Sequence, residues 1–350
     1  MTRTVVRHAP GKLFVAGEYA VLEPGSSAVL AAVDRQVTVT VTAASAGDGL
    51  TIVSDLMNRP MPHVVAAVEI VSELLAEWDL TMPPVQLSIH SGLHERGVKF
   101  GLGSSGAVTV ATIDALLAYC HVSLCTEERF RLALLASIRL DARASGGDLA
   151  LSTWGGWIVY SAPDRAAVAD LAQRKGLRHA LQAPWPGFSV RPLPPPRGLA
   201  VQVGWTGNPA STSDKVASGT VRNWRGSPAH REFVRRSNGC VTALVDALER
   251  GDDTSVLDAI RRARRLLAGA DSHGDLGIFT DGLTAMCDAA EDAGGAAKPS
   301  GAGGGDCGIA LLEPGQLVID RMRARWLTAG VVQLPIQVSE PAREMQTSDL

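Results

Sequence analysis

A glycine- and serine-rich stretch, KFGLGSSGAV (residues 99–108), contains the residue types in this chain best suited to chemistry. Gly101, Gly103 and Gly106 are spaced G-x-G-x-x-G, and an apolar run with helical spacing follows them. A glycine loop that opens a helix presents unpaired backbone N–H groups and the positive end of the helix dipole to an anion. The stretch therefore predicts an anion site, and phosphate is the favoured anion.

Dinucleotide-binding domains, protein kinases and Walker A proteins also have glycine-rich loops, but each of them needs further residues that this chain lacks. A dinucleotide-binding loop follows a buried strand and has an acidic residue about 20 positions later. Here the preceding HERGVKF is charged, and Glu127 and Glu128 fall in the first turn of a predicted helix, where they favour the helix dipole. The H-R-D and D-F-G motifs of protein kinases are absent, and so is the Gly-Lys-Ser/Thr of a Walker A loop. For this loop alone, Ser104 and Ser105 as ordinary N-caps are an equal alternative.

Three further segments place charged residues among glycines or apolar residues. HAPGKLFVAGEYAVLEPGSSAVLAAV (residues 8–33) has Lys12 at the start of an apolar run, where a solvated lysine is unusual. KPSGAGGGDCGIALL (residues 298–312) contains glycines at positions 301, 303, 304, 305 and 308. This density of glycine costs backbone entropy and therefore indicates close approach to a ligand or to another segment. In ASGGDLALS, Asp148 is flanked by small residues that also allow a ligand to approach.

Size and composition restrict the class of protein. The 350 residues suit two domains of ordinary size, and 33 basic against 36 acidic residues argue against nucleic-acid or membrane-surface partners. Charges interrupt every apolar run before the roughly 18 residues that a membrane span needs, and residues 1–12 do not resemble a signal peptide. The five cysteines form no C-x-x-C pair, which predicts free thiols in a reducing compartment. We therefore expect a cytoplasmic monomer or homodimer.

Hydrophobic periodicity mixes strands and helices in both halves of the chain. QVTVTVTA alternates with period two and predicts a strand, and VQLSIH, GWIVY, LAVQVGW, GIALLE and VVQLPIQV predict others. Helical spacing predicts helices over residues 63–78, 104–120 and 126–139, several between residues 213 and 293, and one around Arg321. The order has no regular βαβ repeat, so we predict an α+β fold. The proline-rich stretch 183–198 predicts a boundary between domains over residues 1–190 and 191–350.

Together, PGKLFVAGEYAV, GLGSSGAVTVA and KPSGAGGGDCGIAL resemble the three motifs of the galactokinase, homoserine kinase, mevalonate kinase and phosphomevalonate kinase (GHMP) superfamily. The motifs span residues 10–311, which is nearly the whole chain. Within the superfamily, KFGLGSSGAV, SGGDLA and GWTGNPAST are most similar to bacterial phosphomevalonate kinases. Mevalonate kinases resemble the chain less, because their third motif tends to lack the acidic residue found here as Asp306. One departure is the segment 54–65, which is shorter than we expect between a strand and its helix.

The resemblance implies a two-domain α+β fold with the active site in the cleft between the domains. It also implies ATP as phosphoryl donor and Mg²⁺ as cofactor, with the hydroxyl of Ser105, or of Ser104, available to the metal. The residues implied for binding the ATP phosphates are Gly101, Leu102, Gly103, Ser104, Ser105 and Gly106. The residues implied for binding the acceptor are Ser145, Gly146, Thr212, Ser213, Gly301, Ala302 and Gly303. For Thr212 and Ser213, capping of the helix that they begin is an equal alternative.

The roles of the charged residues depend on whether the acceptor of the phosphoryl group is a phosphate monoester or an alcohol. A phosphate monoester has a second pKa near 6, so its attacking oxygen is mostly deprotonated at neutral pH and a general base gains little. We therefore predict that Lys12 neutralises the phosphates during transfer, that Asp148 holds Lys12 in position, and that Lys99 supplies a second cation. With an alcohol as acceptor, Asp148 would instead be the general base.

The activity that the resemblance implies is ATP-dependent phosphorylation of (R)-5-phosphomevalonate to 5-diphosphomevalonate, a step of the mevalonate route to isoprenoids. The nearest alternative is a mevalonate kinase or another small-molecule kinase of the superfamily. A non-catalytic sensor of metabolites is a further alternative. The presence of both Lys12 and Asp148 argues against the sensor, because a binding protein does not need the pair.

Overall fold

The structure is a computed structural model, which describes residues 3–44, 49–55, 61–95, 98–207 and 219–338. Its strands form two main sheets and one short hairpin. The strands are β1 (Thr4–Ala16), β2 (Ser27–Ala43), β3 (Thr51–Ser54), β4 (Val85–Ser91), β5 (His94–Glu95), β6 (Val98–Lys99), β7 (Trp157–Ser161), β8 (Ser189–Leu193), β9 (Ala200–Trp205), β10 (Ala296–Pro299), β11 (Cys307–Leu312) and β12 (Val332–Leu334). The first sheet has the order β3-β4-β2-β7-β8, with β1 paired to β2. The second has the order β10-β11-β9-β12, and β5 pairs with β6.

Helices alternate irregularly with these strands, which confirms the α+β prediction. The helices in the described part of the chain are α1 (Pro62–Ala76), α2 (Ser104–Tyr119), α3 (Thr126–Leu140), α4 (Gly147–Trp154), α5 (Arg165–Lys175), α6 (Leu177–Gln182), α7 (Gly219–Trp224), α8 (Pro228–Arg250), α9 (Asp253–Gly274), α10 (Asp281–Asp292) and α11 (Gln316–Thr328). A 3-10 helix, Ala20–Leu22, follows β1. Among these elements, no helix has the length and apolarity needed to cross a membrane.

Strand β2 is the centre of the first sheet and is longer than its alternating pattern predicts. Over residues 37–41 the valines are buried and the threonines between them are half-exposed, as period-two alternation requires. The strand begins earlier, at Ser27, and the residues AVLAAV that follow are buried on both faces and therefore show no alternation. This first half pairs with β1 and β7, whereas the second half pairs with β1 and β4.

Helix α2 lies against β1 and β2 and also packs against α1, α3 and α4. Its small and β-branched residues are buried almost all the way around the helix, from Gly106 to Leu117. A helix enclosed in this way is a rigid support for the glycine loop at its N-terminus. The next helix, α3, begins with the predicted acidic turn, in which Glu128 accepts a hydrogen bond from the backbone N–H of Cys125 (2.9 Å).

The proline-rich stretch 183–198 contains a strand. Residues 189–193 form β8 at the edge of the first sheet, with Pro192 opposite Ile158 of β7. An edge strand tolerates proline because its missing N–H is not needed by a second neighbour. The second sheet begins with β9 at Ala200. The division at residues 190 and 191 stays a prediction.

The chain returns to the first sheet near residue 338, the last residue that the structure describes. Strand β12 ends at Leu334, four residues earlier than the pattern VVQLPIQV predicts. The next residue is Pro335, which has no N–H to donate to a neighbouring strand. Val338 then forms an isolated bridge with Val33 of β2. The two sheets are therefore joined at this end by backbone pairing.

Candidate active site

The glycine loop opens α2 as predicted. Gly101 and Gly103 have φ values of 78° and 77°, a left-handed conformation that favours glycine. Gly103 is the N-cap of α2, and no side chain of the described residues caps this helix. The alternative that Ser104 or Ser105 is the N-cap is therefore wrong. The first-turn N–H groups are free of side-chain caps, which is the arrangement that binds anions.

Two glycines of the loop leave room for charged side chains from other segments. A Cβ on Gly103 would lie 2.7 Å from Cγ of Lys12 and 3.5 Å from Cβ of Asp148. A Cβ on Gly106 would lie 2.6 Å from Oδ2 of Asp148. Real Cβ atoms do not approach other atoms as closely as 2.6 or 2.7 Å, so Gly103 makes room for the Lys12 side chain and Gly106 makes room for the Asp148 carboxylate.

Lys12 lies on β1 beside an irregularity in its pairing with β2, and its side chain is 8% exposed. Its backbone N–H donates to the carbonyl of Leu102 (2.8 Å), and its ammonium group donates to the carbonyl of Gly101 (3.1 Å). A Cβ on Gly301 would lie 3.3 Å from Nζ of Lys12. Lys12 is therefore between the glycine loop and the loop that follows β10.

Asp148 lies in the first turn of α4, where its carboxylate accepts a hydrogen bond from the backbone N–H of Leu149 (3.0 Å). We predicted that it would hold Lys12 in position. In the described part of the chain no ion pair within 4.0 Å joins the two, and Lys12 bonds to the carbonyl of Gly101 instead. The structure therefore shows no direct ion pair between the two side chains, and the positioning of Lys12 by Asp148 stays a prediction. Both side chains still flank Gly103.

Lys99 is the last residue of β6 and is exposed, one residue before Phe100 and the loop. Its charge acts on His63, in the first turn of α1. Burial lowers the pKa of His63, the carboxylate of Asp148 raises it, and Lys99 lowers it. His63 Nδ1 is buried and has no hydrogen-bond partner among the residues that the structure describes. His63 was not predicted, because a histidine at the start of an amphipathic helix has no distinguishing sequence signal.

Ser145 and Gly146 precede α4. The carbonyl of Ser145 accepts a hydrogen bond from the hydroxyl of Tyr160 (2.5 Å), and its own hydroxyl accepts one from the backbone N–H of Gly147 (3.3 Å). Gly146 has a φ of 80°, and a Cβ there would meet the Tyr160 hydroxyl at 2.8 Å. These contacts account for the loop conformation. Acceptor binding by Ser145 and Gly146 stays a prediction.

The loop over residues 300–306 contacts both the first motif and the glycine loop. The carbonyl of Ala302 accepts a hydrogen bond from the hydroxyl of Tyr19 (2.7 Å). A Cβ on Gly101 would lie 2.7 Å from Cγ of Asp306, so the carboxylate of Asp306 packs against the glycine loop. Gly303 lies against Ile278, whose carbonyl oxygen would be 2.4 Å from an added Cβ. Of the predicted acceptor residues, Thr212 and Ser213 lie outside the described residues.

Three charged or polar residues near the site were missed. Glu18 and Lys298 form a buried ion pair, and Tyr19 contacts Ala302. The signal that singled out Lys12, a charge inside an apolar run, also applies to Glu18 in LFVAGEYAVL. It applies to Lys298 as well, which lies in the buried strand β10.

The fold and the three converging glycine segments define a small-molecule kinase of the GHMP class. A model of the GHMP kinases N terminal domain matches residues 63–156, and a model of the GHMP kinases C terminal matches residues 244–327. Together the two models match parts of both halves of the chain, which confirms the predicted superfamily.

Individual relatives narrow this class. The phosphomevalonate kinase of Streptomyces sp. (strain CL190) is 56% identical, over 95% of this chain and 97% of that protein. A mevalonate kinase of Thermococcus onnurineus (strain NA1) is 28% identical, over 88% of this chain and 89% of its own. The structure of Streptococcus pneumoniae phosphomevalonate kinase in complex with phosphomevalonate and AMPPNP has a TM-score of 0.87 and 30% identity, covering 95% of this chain and 99% of that one. The chain belongs to the phosphomevalonate kinases of the GHMP superfamily.

Proposed function

We propose that this protein transfers the γ-phosphoryl group of ATP to (R)-5-phosphomevalonate, which gives ADP and 5-diphosphomevalonate in the mevalonate route to isoprenoids. The observation that carries the proposal is 56% identity to a phosphomevalonate kinase over 95% of the chain. The similarity to a structure that holds phosphomevalonate and AMPPNP supports the same pair of substrates.

The chemistry requires cations more than a base. An oxygen of the acceptor phosphate attacks the γ-phosphorus, and the bond to the bridging oxygen breaks, so that its electron pair stays on ADP. The second pKa of a phosphate monoester is about 6, so at neutral pH the attacking oxygen carries little proton to remove. Both substrates are polyanions, and the protein must align them and neutralise their charge.

The glycine loop and the charged side chains around it suit the alignment and the neutralisation of the two phosphorylated substrates. The free N–H groups at the N-terminus of α2 bind phosphate oxygens of ATP, and Lys12 neutralises the transferring group from its position between the two glycine loops. Lys99 supplies a second positive charge beside the glycine loop. Asp148 is the counter-charge of these cations and is not a general base, because the acceptor is already deprotonated.

The oxygen-rich N-terminus of α2 fits Mg²⁺. The hydroxyls of Ser104 and Ser105 are free of capping bonds, and the Asp148 carboxylate packs against Gly106 beside them. Magnesium needs only one or two protein oxygens when phosphates and water complete its shell. Ser105 would hold the ion, with Ser104 as the alternative, and the ion would neutralise charge on the ATP phosphates.

Compartment and assembly are part of the proposal. All five cysteines are free thiols, which suits the cytoplasm. The near-balanced charge suits small-molecule substrates and argues against nucleic acid as a partner. We expect a monomer or a homodimer.

The proposal is tested by measuring ADP release with Mg-ATP and either mevalonate 5-phosphate or mevalonate. Turnover with the phosphorylated acceptor alone supports the proposal. Turnover with mevalonate alone would make the acceptor an alcohol and return Asp148 to the role of general base. Binding of ATP without turnover of either acceptor would indicate the metabolite sensor.

A further inference from the structure

The pair formed by Lys298 and Glu18 is the most deeply buried ion pair of the described residues. Lys298 is 0% exposed and Glu18 is 4% exposed. The ammonium group of Lys298 donates to the Glu18 carboxylate, to the carbonyl of Pro299 (2.7 Å) and to the carbonyl of Phe14 at the limit of hydrogen bonding (3.5 Å). All three N–H donors of the lysine therefore have protein acceptors, and the lysine has no surface exposed to solvent.

This pair connects the two sheets. Glu18 follows β1 of the first sheet, whereas Lys298 lies on β10 of the second, 280 residues later. Beside it, the backbone N–H of Phe14 donates to the hydroxyl oxygen of Ser300 (2.8 Å). The hydroxyl of Tyr19 donates to the carbonyl of Ala302 (2.7 Å). These contacts all fasten the loop 300–306 to the end of β1, the strand that carries Lys12.

The loop needs such contacts because of its own sequence. Gly301, Gly303, Gly304 and Gly305 all have positive φ values, between 68° and 127°. Glycines in this region lose more conformational entropy on ordering than other residues, so the loop gains little rigidity from its own backbone. The ammonium group of Lys12 approaches the loop at Gly301, where an added Cβ would lie 3.3 Å from Nζ. Gly301 lies between Ser300 and Ala302, the two residues that make the hydrogen bonds to the first motif.

Stability alone is a weak reason for the pair. Removing two charges from water costs several kcal/mol, and a well-packed apolar pair of similar volume is often as stable or more stable. An ion pair with three acceptors instead specifies one orientation of the groups that it joins. We propose that Lys298 and Glu18 are positioning residues for phosphoryl transfer: they hold the loop 300–306 in the orientation that sets the ammonium group of Lys12. This inference rests on the proposed function.

The chain offers a matched control in Arg131. This side chain is also buried (9% exposed), also pairs with one carboxylate, Glu127, and also donates to two carbonyls, those of Leu181 (2.6 Å) and Ala183 (2.8 Å). It lies on α3, away from the glycine segments. Arg131→Met therefore removes a buried cation of the same kind without touching the loop.

The test compares Lys298→Met, the double variant Lys298→Met/Glu18→Met, and Arg131→Met by thermal melting and steady-state kinetics. Lys298→Met leaves the buried Glu18 carboxylate without its partner and lowers the melting temperature. Arg131→Met leaves the carbonyls of Leu181 and Ala183 without their donor, and it also lowers the melting temperature, although Glu127 itself is exposed. The double variant removes both charges and regains stability. We expect its kcat to stay about 10- to 100-fold below wild type, because the loop orientation is lost while the KM for ATP changes by less than about threefold. Arg131→Met, assayed well below its melting temperature, should keep kcat within about twofold of wild type.

Two results would overturn the inference. One is a double variant whose kcat recovers together with its melting temperature. The other, which applies even if the double variant does not fold, is a Lys298→Met enzyme that loses no more kcat than Arg131→Met. The wild-type assay keeps the two proposals separate, because failure of the proposed function would appear as absent turnover of mevalonate 5-phosphate by the wild type itself.

Discussion

The ammonium group of Lys12 lies 3.1 Å from the carbonyl oxygen of Gly101 and donates a hydrogen bond to it. The cation that we assign to the transferring phosphoryl group is thus held by the loop that we assign to the ATP phosphates. A shift of the loop moves the cation with it, so phosphate binding and charge neutralisation are coupled through one hydrogen bond. Asp148 is near this pair but does not make the bond.

Replacing the two charged residues should separate their roles. Lys12→Ala removes charge neutralisation and should lower kcat by about 10³-fold or more, in the range seen for cations that stabilise transferring phosphates. Asp148→Asn should lower kcat by less than about tenfold, because the acceptor needs no general base. The measurement is steady-state turnover with saturating ATP and mevalonate 5-phosphate. A loss of about 10² to 10⁴ for Asp148→Asn would instead be the effect expected of a general base.

Adding a methyl group at Gly103 should damage the site more than the fold. Gly103→Ala forces a Cβ to within 2.7 Å of Lys12 Cγ at a φ of 77°. Gly330→Ala is the matched control, because its φ is 75° and nothing lies within 4 Å of the added Cβ. Both variants carry the left-handed penalty of about 1 to 2 kcal/mol.

Only Gly103→Ala should also lower kcat/KM for ATP, by about tenfold or more, since it displaces Lys12. Thermal melts and steady-state kinetics on the two variants make this comparison. Equal kinetic losses would mean that backbone strain, and not contact with Lys12, is the cause.

Much of the fold could be predicted because local patterns determine it. Alternation in QVTVTVTA predicts the second half of β2, and a glycine loop before an apolar run predicts the start of α2. The first half of β2 was missed because burial on both faces removes the alternation. The strand in the proline-rich stretch was missed because tolerance for Pro192 depends on β8 being an edge, which is a tertiary property.

The site was predicted as a set of segments, but not as a set of contacts. Lys12, Asp148 and the glycines do converge, as three motifs of one superfamily imply. Which group bonds to Lys12 depends on the position of the Gly101 carbonyl, and no residue type encodes that position. The Lys298–Glu18 pair joins residues 280 positions apart, so only the packing of one sheet against the other brings it together.

The five thiols should differ sharply in reactivity. Burial raises the pKa of Cys287 to about 12, and it raises the pKa values of Cys240 and Cys307 as well. Because the thiolate is the reactive form, iodoacetamide should label the exposed Cys125 first and the half-buried Cys120 more slowly, and it should spare the other three. Mass spectrometry of the native protein measures this, with denatured protein as the control for complete labelling. Labelling of Cys307 in the native state would contradict its placement against the Phe100 carbonyl.

The titration of His63 should report the charges of the site without any assay of activity. The negative charge of Asp148 favours the imidazolium form, so Asp148→Asn should lower the pKa of His63 further. The positive charge of Lys99 disfavours that form, so Lys99→Ala should raise the pKa. His230 is the internal control, because its pKa is lowered by burial and modified by Glu23 and Arg225, and neither variant alters these.

Imidazole resonances followed by NMR from acid to neutral pH give both pKa values in the same sample. Opposite shifts at His63 with no shift at His230 would mean that Asp148 and Lys99 act on one common region in solution. An unchanged His63 in both variants would contradict the proposal that these two charges face the same phosphates, whatever the turnover of the variants.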